Sequence, residues 1–357
     1  MHVTYKRLAA LAGLVALPAL GLAIAGPAAT ASPAYHATQI INGKHLHHTF
    51  GSGKTEPLSK ADDLTALGGH LFVAFQNGVG SKGEPSPDGN TNSTLVEFTG
   101  SGHVVHQWDV KGKIDGLGND PAIGLVIATV NEDGNSSLYT FTPAGGPATH
   151  YRYDRPLPDN GGTDAITYYH GQILISASAP GTTGKAAPQA SYPAVFAVTL
   201  HAFKQTASVS GLFSDEATAV SATTGKSVKL GLTDPDSSEV VPSSAARFGG
   251  DFMLNSQGDL QLLFWSGRGA PLLVLNISQS IDDSAWATSR GGHLYVTSGD
   301  GVDVVSGPFM PGQFLVAVTP CNANSAPSTC TTPNYLGQLN PSNGQVSRLL
   351  FPGGSRG

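Results

Sequence analysis

The run Asp62-Asp63-Leu64-Thr65-Ala66-Leu67-Gly68-Gly69-His70-Leu71-Phe72-Val73 returns far down the chain. There it reads Asp282-Asp283-Ser284-Ala285-Trp286, then Gly291-Gly292-His293-Leu294-Tyr295-Val296. Each copy is an acidic pair, a short β-type stretch, paired glycines and a second β-type stretch. Weaker copies lie between them. One such unit cannot bury its own apolar face, so repeated units must stack to form a core.

The rest of the sequence agrees with that constraint. Short apolar or alternating runs such as Leu71–Phe75, Val126–Val130, Ile173–Ser176, Leu260–Trp265 and Phe314–Val318 are separated by Gly, Asn, Asp and Pro. These are strand and turn signals, and helix signals are scarce beyond the first residues. Units beginning at Asp63, Asp120, Asp164, Asp236 and Asp283 follow one another at intervals of roughly 40 to 70 residues, against about 40–50 for a propeller blade. The expected fold is all-β, a single β-propeller of five or six four-stranded blades. It becomes seven if the insertion between Leu212 and Leu232 is a degenerate blade, though Ala217–Ser221 and Ser227–Leu230 within it also read as an added hairpin. Gln39 to Phe50 reads as one or two further strands that close the ring and remove an exposed edge. Two β-sandwich domains divided near residue 210 are the alternative.

Residues 1–31 read as a secretory leader. Lys6 and Arg7 precede an apolar stretch, and Ala29-Thr30-Ala31 has the small-x-small form of a cleavage site. The expected domains are therefore 1–31 as signal peptide and 32–357 as propeller, secreted, with no membrane span after cleavage and a monomeric state. Of the 357 residues only 12% are charged, with a formal net charge of −6, which gives no basic footprint for nucleic acid. In an exported chain the two cysteines, Cys321 and Cys330, are expected to form a disulfide; their spacing matches neither a redox pair nor a zinc knuckle.

Three stretches carry a resemblance: Asn131-Glu132-Asp133-Gly134-Asn135-Ser136-Ser137-Leu138-Tyr139, Asp159-Asn160-Gly161-Gly162-Thr163-Asp164-Ala165-Ile166 and Leu232-Thr233-Asp234-Pro235-Asp236-Ser237. With Val73-Ala74-Phe75-Gln76-Asn77-Gly78, they resemble segments of a family of secreted actinobacterial proteins. The resemblance implies a propeller-like fold and an exported protein. It implies no activity and no catalytic residue.

In a propeller, the turn entering each inner strand and the loop after the second strand share a face. Two groups of side chains are expected there. The first is Asp63, Asp120, Asp164, Asp236 and Asp283, a candidate cation site. Calcium is the cofactor considered, since hard cations seek several oxygens; alternatively each Asp caps its own turn. The second is Gln76, Asn77, Asn131, Glu132, Asp133, Ser178 and Asp300, a candidate ligand-binding set on the loops, which would otherwise be solvated turns. No nucleophile motif, phosphate loop or dinucleotide fingerprint is present. Three functions remain open: binding of an extracellular ligand or protein partner through the Asp-bearing face, a metal-dependent hydrolase or lyase, and a structural envelope protein.

Overall fold

A computed structural model describes residues 34–351, apart from 52, 159–160, 179, 181–191, 324–325 and 327–328. The leader and its cleavage site lie outside the described residues. Within them the chain is β-structure with one 3-10 turn.

β1 (His36–Asn42) is followed by a small hairpin of β2 (His47–Phe50) and β3 (Lys54–Pro57). The first four-stranded array is β4 (Ala61–Leu67), β5 (His70–Phe75), β6 (Asn92–Thr99) and β7 (Val104–Lys111). The second is β8 (Ile114–Asp120), β9 (Leu125–Val130), β10 (Ser137–Phe141) and β11 (Ala148–Tyr153). The third is β12 (Gly162–Tyr169), β13 (Gln172–Ser178), β14 (Pro193–His201) and β15 (Thr206–Ser214). The inserted segment forms β16 (Thr218–Ser221) and β17 (Ser227–Lys229). The fourth array is β18 (Pro235–Val240), β19 (Phe252–Ser256), β20 (Gln261–Trp265) and β21 (Leu273–Asn276). The β16–β17 hairpin joins its outer edge, β16 running parallel to β21. The insertion is thus an edge extension and not a blade.

The end of the chain departs from the repeat. β22 (Ile281–Trp286) is followed by β23 (His293–Ser298) and β24 (Gly301–Ser306), then β25 (Phe314–Val318), β26 (Tyr335–Leu339) and β27 (Val346–Arg348). β22 pairs with β25, not with β23. β23 and β24 form a separate sheet whose third strand is β1 from the other end of the chain. The segment before the first array therefore does pair at the end of the chain, as its sequence suggests. Leu294–Thr297, however, is not the second strand of the last repeat. Gly68 and Gly69 both have positive φ, +62° and +84°, and close the tight β4–β5 hairpin. The matching Gly291-Gly292 instead carries the chain from one sheet to the next.

A separate apolar core lies between each neighbouring pair of arrays. Phe72, Leu95 and Trp108 meet Ile114, Val126 and Phe141 between the first and second. Ile127, Leu138 and Tyr151 meet Ile166, Ile175 and Phe196 between the second and third. The last gap is closed by Ile41 and Val302 against Leu71, Val73 and Phe98. Each fully buried Phe or Leu contributes about 1.5–3 kcal/mol. The result is an all-β propeller whose inner strands β4, β8, β12, β18 and β22 surround a central channel, with β23 filling the interval between β22 and β4.

Candidate functional site

Every one of the five inner strands β4, β8, β12, β18 and β22 breaks its register near its start. Two residues there oppose one on the second strand: 62–63, 115–116, 164–165, 236–237 and 282–283. Such bulges re-aim side chains. The first bulge residue is Asp in every case: Asp62, Asp115, Asp164, Asp236 and Asp282. The second varies: Asp63, Gly116, Ala165, Ser237 and Asp283. All ten residues but Gly116 and Ser237 are Asp or Ala, and the aspartates line a channel cavity of about 790 Å³.

Gly116 is required where it stands. A Cβ there would lie 2.0 Å from the carbonyl oxygen of Asp164, on the neighbouring inner strand. The inner strands are also tied to one another. Thr129, opposite the second bulge, donates its Oγ1–H to the Asp164 carbonyl at 2.8 Å. Asn255, opposite the fourth, donates Nδ2–H to the carbonyls of Ile281 and Asp282 at 2.7 and 3.2 Å. The second array thus fixes the bulge of the third, and the fourth that of the fifth.

Two glutamines repeat this logic with side chains. Gln76, just after β5, donates to Asp115 Oδ1 at 3.2 Å, and Gln257, just after β19, donates to Asp282 Oδ1 at 2.8 Å. Asp63 accepts from Leu117 N and Leu64 N, both at 2.6 Å. Asp283 accepts from Ser284 N at 2.7 Å. Lys113, at the head of β8, donates to Asp115 at 2.6 Å and pairs with Glu132. It is the one basic side chain among the residues lining the cavity. Farther down, Glu239 accepts from Ser284 Oγ at 2.6 Å.

So many carboxyls in one channel cannot all ionise at ordinary pH. Burial, then the charge of Glu132, pushes Asp115 up to about 7, against the opposing pull of Lys113. Burial pushes Glu239 up to about 8, with Asp283 adding to it. Asp63, Asp164 and Asp236 are held well above the usual carboxylate range, by burial first and then by Asp283, Asp236 and Asp282 respectively. Asp62 is raised likewise, by burial and Asp115. Asp62, Asp282 and Asp283 expose surface, but that surface faces the channel, so they are deep and wet at once. Burial lowers the tendency of Lys113 to keep its proton, yet Asp115 and Glu132 outweigh this and hold it charged above the ordinary lysine range.

The sequence-expected residues divide accordingly. Asp63, Asp164, Asp236 and Asp283 line the channel together. Asp120 does not: it sits at the far end of β8 and accepts from Ala122 N at 3.0 Å, capping its own turn. In that array the channel residue is Asp115. Asp62 and Asp282, each adjacent to an expected residue, complete the ring. Of the loop set, Glu132 alone lines the cavity, and Gln76 supports it from behind. Asn77 is buried, donating to Thr94 Oγ1 at 2.9 Å and accepting from Ser59 N at 3.1 Å. Asn131, at φ +67°, accepts from Lys113 N at 3.0 Å and shapes its turn. Asp133 bonds Ser81 through its backbone, N to O at 3.1 Å. Ser178 is buried at the end of β13. Asp300 accepts from Lys60 N at 2.9 Å and pairs with Lys44, which anchors the β23–β24 turn to the N-terminal segment. Cys321 and Cys330 are joined by a disulfide, Cα–Cα 5.5 Å. Among the described residues no helix is long and apolar enough to cross a membrane.

No family model matches the chain, and no curated protein does. Among solved structures it is similar to a protein of unknown function from Bacteroides thetaiotaomicron, at 10% identity over 89% of this chain and 64% of that one, TM-score 0.46. A protein of unknown function from Bacteroides caccae matches at 12% identity over 89% and 94% of the two chains, TM-score 0.44. A streptogramin B lyase matches at 12% identity over 88% and 87%, TM-score 0.41. None of these lends a residue or an activity to this chain.

Proposed function

We propose that the chain is a secreted binding propeller whose acidic channel takes a positively charged ligand. One observation carries this reading: five arrays each present an aspartate at the same bulge, into one cavity that holds a single lysine. Carboxyls that raise one another's pKa are under electrostatic stress, and a cation delivered among them relieves it. Export is supported by the leader at 1–31, by the Cys321–Cys330 disulfide and by the resemblance to secreted actinobacterial proteins.

Calcium is one cation of this kind. Calcium seeks six to eight oxygens at roughly 2.3–2.6 Å. Among the described residues no three His, Cys, Asp or Glu side chains close to such a group, so water would have to complete the shell. A second reading, a propeller hydrolase or lyase, is favoured by Glu239. It lines the cavity and keeps its proton at neutral pH, as a general acid must.

The test is thermal melting at low salt with size-matched cationic, neutral and anionic small molecules, with calcium chloride included. Stabilisation by cations alone, suppressed by added salt, is expected. Stabilisation by neutral or anionic compounds instead, or by none, overturns the reading.

A further inference from the structure

The channel is not acidic all round. Asp115 and Asp282 are held by Gln76 and Gln257, and Asp63 and Asp283 by backbone N–H groups. Asp62, Asp164 and Asp236 receive no hydrogen bond from any described residue; only burial and neighbouring negative charge act on the last two. Asp164 is 8% exposed and faces the cavity. A carboxyl so buried and so bare of donors is rare in a folded protein unless something else supplies the donor. Lys113 cannot, because it is committed to Asp115 and Glu132.

The opposite wall is different in kind. β23 stands in the ring as an inner strand but brings no acid. Leu294 and Val296, on one face of β23 and backed by Leu315 and Leu336, line the cavity there and are only partly buried. Tyr295, on the other face, packs towards the first array and donates its hydroxyl to the Gly100 carbonyl. A hydrated metal ion gains nothing from such a wall. A cavity of about 790 Å³ is also far larger than an ion needs, and falls in the range of roughly 300–1,000 Å³ that holds small organic ligands.

From these two walls we infer that the ligand is an organic amine with an apolar body. Its ammonium group sits against Asp164, between Asp62 and Asp236, and its body lies on Leu294 and Val296. This rests on the binding reading above and narrows it to one chemical class.

The experiment is calorimetric titration of the purified protein at low salt with 4-phenylbutylamine, 1,4-diaminobutane, 4-phenylbutanol and calcium chloride. Phenylbutylamine is expected to bind about tenfold or more tighter than any of the other three: diaminobutane and calcium lack the buried apolar body, and phenylbutanol lacks the ammonium that pairs with Asp164. Asp164→Asn should weaken it by about thirtyfold or more, as loss of one partner of a buried charge pair does. Leu294→Thr should weaken phenylbutylamine and leave diaminobutane unchanged. Far-ultraviolet circular dichroism and melting of both variants establish that they are folded; if Asp164→Asn does not fold, Asp236→Asn carries the same expectation.

The outcomes separate the two readings. If calcium or diaminobutane binds as tightly as phenylbutylamine, the amine-with-apolar-body class is wrong and the cation reading stands. If phenylbutanol binds equally well, or if no probe binds, both readings fall. Unchanged binding of phenylbutylamine to a folded Asp164→Asn protein overturns the proposed seat.

Discussion

Replacing Glu239 by Gln isolates the electrostatic stress in the channel. Glu239 keeps its proton to about pH 8, against 4.5 for an ordinary glutamate, because burial and then Asp283 disfavour the anion while Ser284 opposes them. At about 1.4 kcal/mol per pKa unit, that difference corresponds to roughly 5 kcal/mol. The channel is wet, so water at the ionised group reduces this to roughly 2–5 kcal/mol. The sign follows from proton linkage. Below pH 4.5 both the folded and unfolded chains hold the proton, and the group's contribution is fully present. As pH rises towards 8 the unfolded chain releases its proton while the fold keeps it, so stability falls; above 8 the contribution is gone. Glutamine cannot ionise, and its Oε1 still accepts from Ser284 Oγ. Urea unfolding of the wild type and Glu239→Gln should therefore give nearly equal stabilities at pH 4.5, and a variant more stable by roughly 2–5 kcal/mol at pH 9. A variant that is no more stable at pH 9, or that differs by the same amount at both pH values, refutes the reasoning.

Lys113→Met strands Asp115 and Glu132, so at pH 8 it should cost about 3 kcal/mol in urea melts, and adding Glu132→Gln should recover part of that. Gly116→Ala should cost about 3 kcal/mol or more, since its Cβ meets a backbone oxygen at 2.0 Å, whereas Gly68→Ala, with positive φ but open space, should cost only about 1 kcal/mol. Serine at both Cys321 and Cys330 should lower stability by about 2–3 kcal/mol; finding two free thiols before reduction would show that the bond does not form in solution.

The repeat was legible because its landmarks are local. Paired glycines, Asp-led strands and short β-type runs identify units without knowledge of their partners, and the added hairpin and the ring-closing first strand were readable in the same way. Which aspartate faces the channel was less so. The segment Ile114-Asp115-Gly116-Leu117-Gly118-Asn119-Asp120 offers two aspartates on one strand, and the bulge shifts the alternation that would have separated them. Gln257 went unread although Ser256-Gln257-Gly258 follows its strand much as Gln76-Asn77-Gly78 follows β5. The departure of β23 to another sheet was not readable at all. Gly291-Gly292-His293-Leu294 has the local chemistry of Gly68-Gly69-His70-Leu71, and only the pairing of β22 with β25 distinguishes them. Asn77, Asn131 and Asp300 have the composition of a binding loop, yet their side chains are consumed by the backbone around them.

The central claim is that the channel's carboxyls, held protonated by burial and by one another, release protons to solvent when a cation binds among them. Titration of the protein with 4-phenylbutylamine at pH 6.5, in buffers of different ionisation enthalpy, measures the protons released on binding. Asp115 at about 7 and Glu239 at about 8 predict that the observed heat changes with the buffer in the sense of net proton release. Binding with a heat independent of the buffer, or with net proton uptake, would contradict the account.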